Sequence, residues 1–133
     1  AEYAGFTARQ AEAALAAGGD IAGLEARLYA EAYAMGRAHR WLVGRPTTPA
    51  VMAAGRVLYG ILGIDFRGDA AGHGMVRRCF FADYYSPAVC RLISHMDRGL
   101  FAGLSAGGDF RFSERITEGS PCCRTSFREV SLP

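Results

Sequence analysis

The 133-residue chain contains no lysine; all 15 of its basic residues are arginine. That absence excludes chemistry needing a primary side-chain amine, so no Schiff base forms with a carbonyl substrate or pyridoxal phosphate, and no phosphate-loop lysine exists. Long hydrophobic runs are missing as well. The most apolar stretch, VMAAGRVLYGILGI, is interrupted by Arg56 and falls short of the roughly 20 residues that span a bilayer. The opening AEYAGFTARQAEAALAAGGD lacks the basic start and apolar block of a secretory signal. We therefore expect a cytoplasmic protein with no membrane partner.

A basic stripe is also absent. The net charge of +2 is spread along the chain, which argues against nucleic acid as the main partner. Four cysteines suffice for two disulfides, but half of the residues are hydrophobic and can build a core unaided, so free thiols are expected in a reducing compartment. The length fits a single domain over residues 1–133.

What is present reads as helices followed by a small sheet. Thr7 is placed to cap a short helix over residues 8–17, which Gly18-Gly19 stops. Ile21, Leu24, Leu28, Ala32, Met35, His39 and Leu42 then recur at helical spacing and predict one core-facing stripe that includes His39. Thr48-Pro49 reads as an N-cap followed by proline at the first helical position, predicting a third helix to about Leu62 and a helical portion over residues 1–62. Its glycines and alanines suggest close packing against a neighbour.

Residues Gly63 to Gly74, with four glycines and two aspartates, read as a loop, and VRRCFF from Val76 to Phe81 as a strand. Ser86-Pro87 repeats the cap-then-proline signal before a helix to about Leu104. On that helix Val89, Leu92, Ile93, Met96, Leu100 and Leu104 form the apolar arc, while Arg91, His95 and Arg98 point away. Asp97 falls on the apolar side, between Leu104 and Cys90. The chain then alternates with period two: Phe110, Phe112, Glu114 and Ile116 share one face. After the turn at Glu118-Gly119-Ser120-Pro121, Cys123, Thr125 and Phe127 face the core, with Cys122 and Arg124 opposite. The expected architecture is α+β, several helices on one face of a small antiparallel sheet, with a strand-helix-hairpin portion over residues 75–130.

Cys79 at a strand, the helix carrying Asp97, the strand FRFSERI and the closing EGSPCCRTSF together resemble the L-2-amino-thiazoline-4-carboxylic acid hydrolase-like family, over about Val76 to Val130. A related pattern closes the vinyl-reductase-type small-molecule-binding domains. The resemblance implies an α+β fold and ring-opening hydrolysis of a cyclic carbon-nitrogen-sulfur compound, or, through the second pattern, small-molecule binding without catalysis. It matches Cys79, Asp97, Gly119 and Cys123. Ser94 stands where the family pattern often has a cysteine, and Ser120 where an aspartate is usual.

Asp97 is the leading catalytic candidate, because a carboxylate on an apolar helix face is costly unless paired, and burial moves its pKa toward the range of acid-base catalysis. An ion pair with one of the arginines is the plainer reading. Cys90, at i and i+7 from Asp97, and Cys123, arriving from the sheet, are candidate nucleophiles or simply core thiols. Glu114 is a second carboxylate for an acid-base pair, or an edge-strand charge reaching solvent or an arginine.

Cys79, His39, Ser94, Phe81 and Arg124 complete the set as substrate-binding candidates. His39 reads either as a base or ligand, or as a histidine hydrogen-bonded near a helix C-terminus. Zinc held by Cys79, Cys90, Cys123 and a histidine is the alternative use of the thiols; no other cofactor is implied. The expected function is a hydrolase-like activity on a C–N or C–S bond of a small heterocycle or amide. The alternatives are a small-molecule- or metal-binding accessory module and a subunit that needs a second copy or a partner protein.

Overall fold

Alanine, the residue that costs least in a helix, recurs through α1 (Glu2–Ala16) and α2 (Ile21–Ala38). It carries α1 past Thr7, which lies inside the helix and does not cap it. The computed structural model describes residues 2–18, 20–45, 47–61, 63–79, 86–120 and 122–129, with side chains from residue 9 onward except at 78 and 79. Asp20 caps α2, its carboxylate accepting the Gly23 N–H at 2.9 Å. A 3-10 turn (Arg40–Leu42) follows.

α3 (Thr48–Ile61) is capped locally by Thr47, whose Oγ1 accepts the Ala50 N–H at 3.4 Å, and also from far along the chain. The Glu129 carboxylate accepts the Thr48 N–H at 2.8 Å and the Thr48 hydroxyl at 3.0 Å, so Thr48 is the first helical residue and not the cap. Val51, Met52, Gly55 and Tyr59 form its buried face.

The expected loop at Gly63 to Gly74 is instead a β-hairpin: β1 (Ile64–Gly68), a turn, and the first residues of β2 (His73–Cys79). Asp69 builds the turn, its carboxylate accepting from the N–H groups of Ala71 and His73, both at 2.9 Å. Gly74 belongs inside β2 because Phe66 and the Thr125 hydroxyl occupy the space a Cβ would need. A glycine admitting a neighbouring ring thus resembled, in sequence, a loop residue.

Ser86 caps α4 (Pro87–Ser105), accepting the Val89 N–H at 3.2 Å, and proline stands in its first turn. β3 (Asp109–Glu114), a 3-10 turn (Ile116–Glu118) and β4 (Cys123–Arg128) complete the described elements. The sheet runs β1-β2-β4-β3 and every neighbouring pair is antiparallel.

The main core lies between this sheet and the helices α3 and α4. Phe101 of α4, with no exposed surface, stacks on Phe110 at 4.0 Å and 4°. Tyr59, Phe66 and Phe127 surround it with ring centroids at 5.8, 5.9 and 6.1 Å. A smaller cluster of Ala11, Val89 and Leu92 joins α1 and α2 to the start of α4.

α2 packs on α4 backbone to backbone. A Cβ at Gly99 would collide with the Tyr29 carbonyl, and one at Gly103 with the Tyr33 carbonyl. This approach turns the predicted α2 stripe: Ala32 and Gly36 are buried, whereas Met35 is 55% exposed and Leu42 37%. His39 leaves the core face with them. The polar side of α4 is also occupied, since His95 Nε2 lies 2.9 Å from Glu25 and Arg98 sits over the Tyr29 ring.

Replacing Gly103 by alanine should destabilise the protein by about 1–3 kcal/mol, because neither backbone can yield. Gly60→Ala, on an open face of α3 with nothing within 4 Å, should instead stabilise it by about 0.5–1 kcal/mol. Urea midpoints of the two variants moving in the same direction would contradict the close-packed seam.

Candidate functional site

Asp97 and Phe101 are one helical turn apart, so the burial of the ring carries the carboxylate to the edge of the core. There the Tyr59 hydroxyl, projected from the buried face of α3, donates to Asp97 Oδ1 at 2.5 Å. Burial pushes the carboxyl up from 3.8 to about 6; the Tyr59 hydrogen bond and the positive charge of Arg115 pull in the opposite direction.

Cys90 lies two turns before Asp97. Its thiol is pushed up by burial, drawn down by the Thr117 hydroxyl and Arg115, and pushed up again by Asp97 and Glu118. Thr117 Oγ1 is buried with no partner in hydrogen-bonding geometry among the described residues, so its influence on the thiol is one of proximity.

Cys123, the first residue of β4, faces the core, and its Sγ accepts the Ile116 N–H at 3.2 Å. Burial raises its pKa, the Ile116 hydrogen bond and Arg115 lower it, and Cys90 and Cys122 raise it. The 3-10 turn Ile116–Glu118 thus presents consecutive residues to the two sulfurs. Both thiols are protonated at neutral pH, which removes the activated thiolate a resting nucleophile needs.

Arg115 acts electrostatically on all three groups. Its guanidinium stands 5.1 Å over the Phe112 ring and 3.7 Å from Glu118, and its buried Nε has no hydrogen-bond partner among the described residues. Glu118 also pairs with Arg91 at the surface. Asp97, Tyr59, Cys90, Cys123, Arg115 and Thr117 therefore form one polar island at the edge of the aromatic core.

The other predicted residues lie apart from it. Glu114 is on the open face, its carboxylate 3.2 Å from Arg124, because the β3–β4 register slips between Phe112 and Glu114 and ends the alternation that was to turn it inward. Arg124 is its cross-strand partner. Ser94 Oγ is spent on the Cys90 carbonyl at 2.7 Å. His39 Nδ1 meets the Met35 carbonyl at 2.8 Å at the end of α2. Cys122, expected on the face opposite Cys123, is buried too, since it precedes β4 and escapes strand alternation.

Cys79 ends β2 opposite Ile64, with its side chain outside the described set, and Phe81 lies outside the described residues. Among the described residues no group of three or more His, Cys, Asp or Glu is arranged to hold a metal ion. None of their helices is long and apolar enough to cross a membrane.

Tyr59, Arg115 and Thr117 were missed from sequence. Tyr59 repeats at i+8 and i+7 from Val51 and Met52, and a buried tyrosine needs a hydroxyl partner; that was the available signal. Away from the island, a groove of about 300 Å³ runs between the end of α3 and β1, lined by Arg56, Gly60, Gly63, Ile64, Asp65 and Phe66. No protein-family model, curated protein or solved structure matches the chain.

The shift at Asp97 fixes a pH dependence. Between about pH 4 and 6 the unfolded chain has lost this proton while the folded protein keeps it, so stability falls as pH rises, by on the order of 3 kcal/mol. Asp97→Asn retains an acceptor for Tyr59 and lacks the titration. Its stability relative to the wild type should climb across this window and level off above it; a constant difference from pH 4 to 7.5 would show that Asp97 is not desolvated.

Proposed function

We propose that the chain is a small hydrolase-like protein that cleaves a C–N or C–S bond of a small heterocyclic or amide substrate, with Asp97 as its acid-base group. The supporting observation is the Tyr59–Asp97 pair, a carboxyl whose pKa of about 6 lets it both take and return a proton near neutrality. The resemblance of the C-terminal half to the thiazoline-carboxylate hydrolase-like family supplies the substrate class.

In this mechanism the Asp97 carboxylate removes a proton from a water that attacks the ring or amide carbon. The carbon-heteroatom bond then breaks, and Asp97 returns the proton to the departing nitrogen or sulfur. Tyr59 orients the carboxylate, and Arg115 offsets negative charge that develops beside it. Cys90 and Cys123 line the site as neutral thiols; either becomes a nucleophile only by passing its proton on as it attacks.

A second reading, a small-molecule-binding module without turnover, is favoured by those same raised thiols, which leave the site without a standing nucleophile.

Turnover of 2-amino-thiazoline-4-carboxylate and of small cyclic amides tests the first reading. The rate should rise with pH through about 6, and Asp97→Asn should lose about 10²–10⁴-fold in kcat. Tyr59→Phe removes a hydrogen bond that favours the carboxylate, so its acidic limb should shift to higher pH. Full turnover by Asp97→Asn would eliminate the mechanism, and saturable binding without turnover in the wild type would establish the second reading.

A further inference from the structure

The end of α2 carries side chains that neither the core nor the Asp97 island uses. Met35, Trp41 and Leu42 are 55%, 74% and 37% exposed. They lie within eight residues of one another, at the end of α2 and in the 3-10 turn that follows it. Scattered exposed apolar residues are ordinary on a protein surface; a tryptophan, a leucine and a methionine gathered at one tip are less so.

Along the sequence the charge around them is one-sided. Between Glu31 and Asp65 the chain has no acidic residue, while Arg37, Arg40, Arg45 and Arg56 fall in that interval. Arg37 and Arg45 are exposed and make no ion pair among the described residues. Elsewhere four exposed arginines are neutralised, Arg67 by Asp65, Arg91 by Glu118, Arg111 by Asp109 and Arg124 by Glu114, while Arg9, Arg27, Arg56, Arg77 and Arg128 make no ion pair among the described residues.

The tip is also well anchored. Arg40 turns inward, its Nε donating to the Gly103 carbonyl at 2.5 Å and its guanidinium reaching the Tyr33 hydroxyl at 3.3 Å. Val43, two residues after Trp41, is buried in the main core. The apolar trio, Arg37 and Arg45 therefore stand on a fixed base.

We propose that this end of α2, with the 3-10 turn that follows, is a docking surface for an anionic lipid bilayer, on which the protein lies without spanning it. Tryptophan is suited to the headgroup level of a membrane, with an apolar ring and one N–H donor. Leu42 and Met35 enter the acyl boundary beside it, while Arg37 and Arg45 meet the lipid phosphates. Nucleic acid fits less well, since two of the three exposed apolar side chains, Met35 and Leu42, offer neither a hydrogen-bond donor nor a ring on which a base could stack. The inference stands apart from the proposed hydrolase, because none of these residues touches the Asp97 island.

Trp41 is the chain's single tryptophan, so intrinsic tryptophan fluorescence reads this surface alone. With phosphatidylcholine vesicles containing about a third phosphatidylglycerol, its emission should move to the blue and the protein should sediment with the vesicles; phosphatidylcholine alone should do neither. Arg37→Gln and Arg45→Gln should each weaken vesicle binding about fivefold. Trp41→Ser, at an exposed site, should keep the far-UV circular dichroism and lose sedimentation, whereas Asp97→Asn should bind as the wild type. Unchanged emission with the anionic vesicles would overturn the proposal, as would equal binding to neutral ones. A shift produced instead by a single-stranded oligonucleotide, or by raising the protein's own concentration, would assign the surface to nucleic acid or to a second copy.

Discussion

The stacking of Phe101 on Phe110 is the contact on which the rest of the molecule depends. It holds the centre of α4 flat against the edge strand β3, and Tyr59, Phe66 and Phe127 close around the same ring from α3, β1 and β4. A helix pinned in this way has no rotational freedom left. The residue one turn before Phe101 must follow it inward, and that residue is Asp97. The opposite side of α4 is fixed just as firmly, because Gly99 and Gly103 bring the α2 backbone into direct contact. The position of the acid is thus set by an aromatic core and a glycine seam, neither of which has chemistry of its own.

The electrostatics follow from that placement. A carboxyl taken out of water keeps its proton to a higher pH, and its nearest compensation is the Tyr59 hydroxyl and the charge of Arg115. The same loss of water raises Cys90 and Cys123. Burial therefore acts in opposite ways on function: it brings the acid toward the pH where proton transfer is efficient and moves both thiols away from the thiolate form. Acid-base chemistry is favoured over thiolate chemistry by one physical cause.

Where local signals agreed with the tertiary packing, they could be read in advance. Ser86-Pro87 marked the start of α4, the alternation of Cys123, Thr125 and Phe127 gave the inner face of β4, and the helical angle put Asp97 on the apolar arc. Errors arose where a distant residue overrode the local pattern. Gly74 looked like loop because Phe66 fills its missing side chain, and Thr48 looked like the cap although Thr47 accepts the Ala50 N–H and the distant Glu129 takes the Thr48 N–H. His39 looked inward until the glycine seam rotated α2, and the register slip after Phe112 sent Glu114 outward to Arg124.

By itself, the sequence determined the α+β class, most helix starts, the closing hairpin, the absence of amine chemistry, and the conflict of an acid on an apolar face, since each rests on residue type and on spacing within one element. Tertiary structure alone decided that Tyr59, Arg115 and Thr117 join Asp97, Cys90 and Cys123, and that Glu114 and His39 do not. The reason is physical: spacing fixes only the direction of a side chain from its own helix or strand, whereas its partner, its hydration and hence its proton affinity depend on which other element arrives opposite it.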